Sequence, residues 1–464
     1  MDKRSIVHNY NINNRENYIA LIIMHIALGV VINIIPVLSK VIFIATILFF
    51  LYRIFNATPG NKPLEIILAC SYMVGAEVLF RMTSATFFYE GVKYLVILFM
   101  LTGLVTSYIS NRAYPYLIYL ILLAPSIVVA ILNLNYGSNL RTNIAFVLSG
   151  PVCLGFSALY LFDKKIVMRD FLEAFKYLSL PIISMTTYLF LYNPSIRDVL
   201  SGTSSNFAAS GGFGPNQVAT VLGLGMFTLT VRLFMKSPTL WLKILNTILL
   251  IAVSYRGIIT FSRGGILVAL AMIAVFLLFL YQRSTLKMKG NIVFSFLLIV
   301  LLGPLIWLYT SNQTDGLIEK RYANQDALGR EKEDIATGRL YIFKSDLEGF
   351  FQNPILGVGA NGAKELRIKN GEDIIASHNE ISRLLSEHGS FAFIILLILG
   401  FKPLLYRVKN NKNIFFYAML GFWFATINHS AMRIAAPGFI YALALLNIQN
   451  DKRLIHRKRL STKR

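Results

Sequence analysis

His378 heads the residues able to do chemistry. It stands in Ser377-His-Asn-Glu380, within a polar stretch from Thr310 to His388 in a chain otherwise built of apolar runs. The spacing Ser377-x-x-Glu380 ahead of Ile381, Leu384 and Leu385 reads as a capping box, which puts His378 in the first turn of a short helix. There the positive end of the helix dipole disfavours imidazolium and leaves the neutral ring that a general base requires near pH 7. Free backbone N–H groups of that turn could also contact a phosphate. Asn379 follows as a supporting group, and Arg383, one turn further on, is either supporting or structural. Of the six histidines, His8 and His456 lie near the ends and His25 inside the first apolar run, while His388 and His429 border later runs. Histidines without clustered Asp or Cys lack metal-ligand spacing, so no metal is assigned.

Arginines are the second signal. Arg256 falls inside an apolar run and Arg263 at its end, in Phe261-Ser-Arg-Gly-Gly265. Seven residues make two helical turns, so both can face one side. A charge inside a membrane span costs about 2.5–3.5 kcal/mol on insertion scales, so it faces a polar cavity or a partner. Arginine suits a bidentate grip on phosphate; the alternatives are snorkelling for Arg263 and an internal ion pair for Arg256. Arg339, after Ala336-Thr-Gly, opens a helical pattern (Leu340, Phe343, Leu347, Phe350) that Asn353-Pro354 ends. A cation at a helix start opposes the dipole, which points to an anionic partner or to plain solvation. The apolar side of this helix fits either the outer leaflet or its own loop. Gly357 and Gly359 read as turn residues, and Gly389 either caps the second loop helix or lets it run on. Glu77 and Arg81, spaced i, i+4, read as a structural pair. No phosphate-cradling glycine motif is present, and no cofactor is assigned.

The elements that must position these groups span a membrane. The 464 residues are 55% hydrophobic and 15% charged, with a mean hydropathy of +0.59. Apolar runs long enough to cross as helices fall near 18–35, 37–55, 64–82, 88–110, 114–132, 144–162, 171–192, 215–235, 239–260, 265–281, 291–309, 389–406, 414–429 and 434–449. The fold class is therefore all-α, a polytopic helical bundle of about 12–14 spans, and unbroken apolar runs exclude a β-barrel. Residues 1–17 form a polar amino terminus without a cleavable leader, and 450–464 a basic tail. Cys70 and Cys153 fall inside spans and read as buried thiols.

The net charge of +22 gathers in Lys164-Lys165, Arg169, Arg283, Lys287, Lys289, Arg407, Lys409, Lys412 and the tail. Basic short loops face the cytoplasm, so topology accounts for the charge without nucleic acid. Both termini are then inside, and 193–214, the 261–264 turn and 310–388 outside. The outer loop 310–388 holds 13 Asp/Glu against 10 Lys/Arg, without the basic excess found elsewhere. Segment 193–214, rich in Ser and Gly, is expected to stay flexible until Pro215 starts a helix.

Taken in order, Gly214-Pro-Asn-Gln217, Ser262-Arg-Gly-Gly265, Thr337-Gly-Arg339, Asn353-Pro-x-x-Gly-Val-Gly359, His378-Asn379 and Leu385-Ser-Glu-His-Gly389 resemble the O-antigen ligase and polymerase superfamily, over about residues 205–405. The resemblance implies a metal-independent, inverting glycosyltransferase of the bacterial inner membrane. Its donor would be an undecaprenyl-pyrophosphate-linked glycan on the periplasmic face. Its acceptor would be a sugar hydroxyl of lipid A core for a ligase, or of another lipid-linked repeat for a polymerase, with a chain-length regulator as a further partner. It also implies that His378 deprotonates the acceptor and that Arg263, Arg339 and less firmly Arg256 hold the pyrophosphate. Phe261 departs from the family pattern, where a small residue more often precedes the serine, and is expected to alter packing rather than chemistry. The rival class, a transporter or flippase of lipid-linked oligosaccharide, calls for internal repeats and charges through several spans.

Overall fold

The computed structural model describes residues 3–133, 139–200, 202–332, 338–371, 377–409 and 412–449. Thr337 and the basic tail 450–464 lie outside the described residues. The first helices are α1 (Lys3–Ile34), α2 (Leu38–Asn56), α3 (Lys62–Met82), α4 (Gly91–Thr106), α5 (Tyr114–Leu123), α6 (Pro125–Asn133), α7 (Leu140–Leu161) and α8 (Met168–Tyr192). Next come α9 (Pro215–Met235), α10 (Leu240–Ile259), α11 (Arg263–Gln282) and α12 (Leu286–Gln313). Inside the long polar stretch lie α13 (Leu317–Tyr322), α14 (Arg339–Gln352) and α15 (Gly362–Lys369). Then follow α16 (Glu380–His388), α17 (Phe391–Lys409), α18 (Phe416–His429) and α19 (Ala436–Ala444).

Each of the fourteen apolar runs falls on helix, with α5 and α6 forming one run broken at Pro125. Among the described residues ten stretches are long and apolar enough to cross a membrane. The 14 residues of α18 and 9 of α19 rise about 21 and 14 Å, short of a hydrocarbon core of about 30 Å. The run 434–449 thus departs from a single spanning helix: beyond Ala444 it turns into strand β2 (Asn447–Gln449), which pairs in parallel with β1 (Lys165–Val167). α1 already starts at Lys3, so the polar residues ahead of the first apolar run are helical too. The chain is a polytopic helical membrane protein.

The core centres on α9, whose window is 89% buried, with α3, α8, α10 and α11 around it. One end carries the β1–β2 pair, where Asp163 accepts from Tyr406 Oη (3.0 Å) and Asn447 Nδ2 (2.8 Å). The other end gathers 83–90, 193–214, 260–262, the stretch between α12 and α17, and 430–435. Segment 193–214 is not a loose linker there. Asn206 N–H donates to Thr260 O (3.2 Å), Thr203 Oγ1 to Gln325 O (2.8 Å) and Arg197 Nη2 to Asn312 O (2.9 Å). These bonds, together with the burial of Ala209 and Ser210, offset the chain entropy that a Ser/Gly-rich sequence loses on ordering.

Candidate functional site

Pro215 opens α9 at its first turn, and the next residue, Asn216, accepts from Ser262 Oγ at 2.7 Å. Ser262 is the residue before α11, so this bond seats Arg263 at the helix start beside α9. Phe261 has φ 57°, a left-handed conformation that costs a non-glycine residue about 1–2 kcal/mol. Its carbonyl accepts from Arg321 Nε (3.1 Å), and Arg263 Nη1 donates to Arg321 O (3.3 Å). Next to Arg263, a Cβ on Gly264 would lie 2.5 Å from Cδ2 of His429. Only glycine lets the end of α18 come that close.

A second arginine-bearing turn follows the same plan. Ala431, two residues before Arg433, also has positive φ, 51°. The turn is fixed by α3, where Glu77 and Arg81 form a buried ion pair at 2.6 Å. Glu77 accepts from Ala435 N–H (2.7 Å), Arg81 Nη1 donates to Arg433 O (3.0 Å), and the Arg81 guanidinium lies 4.3 Å from the Tyr89 ring centroid. The pair expected to be structural is therefore a support of this turn. Arg433 Nη2 in turn donates to Ser377 O (3.3 Å), next to His378.

The segment that carries His378 differs from the expected capping box. The cap is Asn379, whose Oδ1 accepts from Ile381 N–H (2.8 Å) and Ser382 N–H (3.1 Å). Ser377 Oγ instead meets Asp346 and Arg367, and Glu380 pairs with Arg383. His378 thus precedes the cap rather than sitting in the first turn. Its ring stays neutral for another reason: burial first, then the cations of Arg433 and Arg339, push its pKa down to about 3. Its Nδ1 is buried and has no hydrogen-bond partner among the described residues.

Arg339 is the first residue of α14. That helix buries Ile342, Ser345, Asp346 and Gly349 and leaves Leu340 at the surface, so the expected Leu340/Phe343/Leu347/Phe350 face is not the packed one. Small and polar side chains face inward because α16 packs close, with Asp346 bonded to it. Gly357 and Gly359 do serve turns, with φ 74° and 88°. Gly389, with φ 57°, ends α16.

Arg263, Arg321, Arg339 and Arg433 are half-buried, and three of them feel one another. Burial, then the charges of Arg263 and Arg339, lower the pKa of Arg321. Burial and Arg263 lower that of Arg339, while Arg433 is lowered chiefly by burial, with Arg383 and Arg339 adding to it. Among the described residues no carboxylate lies within ion-pair distance of Arg263, Arg321 or Arg339. Such a group of cations, two of them acting on a neutral imidazole, is complementary to a multiply charged anion.

Arg256 is engaged elsewhere. α10 ends at Ile259 and α11 starts at Arg263, so the two arginines sit on different helices and the two-turn spacing does not align them. Arg256 is buried, donates to Ala209 O (3.0 Å) and lies 5.4 Å from the Phe190 ring centroid. Arg383 is bound on both sides, to Glu380 and to Glu387 Oε2 (2.9 Å). His388 is buried.

Beside the arginines an apolar cavity of about 640 Å³ opens between α9, α10, α11 and α12, lined by Met226, Ile244, Leu267, Ile306, Trp307 and Tyr322 among others. Trp307 and Tyr322 meet edge to face at 5.0 Å at the end next to Arg321. The sequence reading missed Arg321 and Arg433. Arg433, an arginine just ahead of an apolar run as Arg263 is, carried a usable signal. Arg321, inside Lys320-Arg-Tyr322, carried none.

Residues 247–397 match the family model for O-antigen ligase. That window takes in Arg263, Arg321, Arg339, His378 and Asn379, and ends short of Arg433. No curated protein matches the chain.

Proposed function

We propose that this chain, a member of the O-antigen ligase and polymerase superfamily through residues 247–397, is a glycosyltransferase that moves a glycan from undecaprenyl pyrophosphate to an acceptor sugar hydroxyl at the periplasmic face of the inner membrane. The observation that carries this reading is a chain of cations, Arg433 and Arg339 acting on His378 and Arg263 and Arg321 acting on one another beside Arg339, with Tyr322, next to Arg321, lining an apolar cavity.

His378 takes the proton from the acceptor O–H, and the oxygen attacks the anomeric carbon of the donor sugar. The bond from that carbon to the pyrophosphate oxygen breaks, and the leaving group departs with the electron pair. One glycosidic bond forms, with inversion, and lipid pyrophosphate and imidazolium are the other products. Arg263, Arg339, Arg321 and Arg433 stabilise the charge that grows on the leaving oxygen. Arg263, Arg321 and Arg433 are held in place by their bonds to the carbonyls of Arg321, Phe261 and Ser377. The apolar cavity takes the isoprenoid chain, with Tyr322 and Trp307 at the headgroup end. Energy comes from the pyrophosphate linkage, so the reaction draws on no nucleotide. Arg256 instead holds segment 193–214, and Asn379 and Arg383 support α16.

The test is glycan display in cells lacking the gene, complemented with wild type, His378→Ala or Arg263→Ala at matched membrane levels. Loss of display by both variants supports the reading. Single repeats on the surface then identify a polymerase; long lipid-linked chains that never reach lipid A identify a ligase. Full display by His378→Ala would reject the base and favour a transporter of the same lipid-linked substrate.

A further inference from the structure

Asp346 is fully buried at the midpoint of α14, and each of its carboxylate oxygens is used. Oδ1 accepts from Arg367 Nη1 (2.7 Å) and Ser377 Oγ (2.8 Å); Oδ2 accepts from Ser382 Oγ (2.7 Å). Arg367, also buried, neutralises the charge and donates a second bond to Ser377 Oγ (3.1 Å). One carboxylate thus joins α14, α15, the residue before His378 and the first turn of α16.

The arrangement around His378 is asymmetric. Ser377 is held by its hydroxyl through Asp346 and by its carbonyl through Arg433; Asn379 is held by capping α16 and by its Nδ2 bond to Asn428 (3.0 Å). Between these clamped neighbours the imidazole Nδ1 has no hydrogen-bond partner among the described residues. On the other side, Arg339 lies seven residues before Asp346, two turns along the same face of α14. The carboxylate therefore bonds the residue next to the group proposed to take the proton and shares a helix with one proposed to hold the leaving group.

We infer that Asp346 is a positioning residue, which sets His378 relative to Arg339 through the hydroxyls of Ser377 and Ser382. This rests on His378 being the base. A rotation of either helix would move the two groups apart, and a misplacement of about 1 Å is enough to cost on the order of a hundredfold in rate.

The experiment uses the full-length protein in detergent with the lipid-linked glycan donor, reading kcat, KM for donor and Tm. The informative variant is Ser377→Ala/Ser382→Ala, which leaves the Asp346–Arg367 ion pair in place. Its kcat per folded molecule is expected to fall about 10- to 100-fold, with KM within about threefold of wild type. Tm falls as well, since a buried carboxylate that loses two donors costs about 1–3 kcal/mol for each, so the rate is read well below the variant's Tm. Asp346→Leu/Arg367→Met, which replaces the buried pair by apolar groups, is expected to recover thermal stability without recovering kcat. Wild-type kcat in a folded serine variant, or kcat returning together with Tm in the apolar double variant, would overturn the inference. His378→Ala in the same assay separates the two claims. If it turns over normally the base reading fails; if it is dead while the serine variant is fully active, only the role of Asp346 fails.

Discussion

Replacing Arg339 by methionine should harm the reaction while sparing, or even raising, stability. Arg339 begins α14, where its charge opposes the helix dipole at about 0.3–1 kcal/mol. Arg263 also repels it, which adds to the unfavourable electrostatics, less where solvent reaches. No carboxylate among the described residues compensates. Methionine keeps most of the apolar stem, so the donor-free protein gains on the order of 1–2 kcal/mol. With donor bound, the variant lacks a charge-assisted contact to the departing pyrophosphate. Such a contact contributes about 2–4 kcal/mol to the transition state, or about 30- to 1,000-fold in kcat. Thermal unfolding in detergent and transfer from lipid-linked donor are measured on the same preparation. A Tm raised or unchanged with a collapsed kcat supports the reasoning. A clear fall in Tm, or a rate within threefold of wild type, refutes it.

Gly357→Ala combines φ 74° with a Cβ 2.5 Å from the Glu387 carbonyl carbon, so it should cost about 2–4 kcal/mol, seen as a lower Tm. Arg256→Met should lower stability by about 2–4 kcal/mol, through the lost bond to Ala209 and the lost Phe190 contact. Its rate per folded molecule should stay within about threefold of wild type. His378 is held neutral down to about pH 3 in the donor-free protein, by burial and then by Arg433 and Arg339. A folded pKa below the unfolded one contributes stability that is complete above about pH 6.5 and is lost as pH falls toward the folded value. The profile of kcat/KM should therefore show no acid limb centred near pH 6.5, and a limb there would mean an unshielded imidazole.

Much of the fold was legible because membrane spans announce themselves. Unbroken apolar runs leave helix as the structure that satisfies the backbone, and the runs are helical except for the end of 434–449, which turns into β2. Pairings between distant segments were not legible. Ser377 and Glu380 have the spacing of a capping box, yet Asp346 and Arg383 compete for those side chains and Asn379 takes the cap. The sequence left the side on which α14 packs open, and the packed side is the one that carries Asp346, whose buried carboxylate takes three donors from Arg367, Ser377 and Ser382. Arg263, Arg339 and His378 could be named from local pattern. Arg433 carried the same local signal as Arg263, but its link to His378 was not legible, because it arises from the packing of the 430–435 turn on α3.

The most direct test of the central claim is transfer by purified protein, counting lipid pyrophosphate released and glycan joined to acceptor, for wild type and His378→Ala at equal donor binding. One pyrophosphate per glycosidic bond is expected from wild type. The variant should be slower by about 10²–10⁴-fold, the range of a lost general base. His378→Ala joining glycan at the wild-type rate would contradict the account.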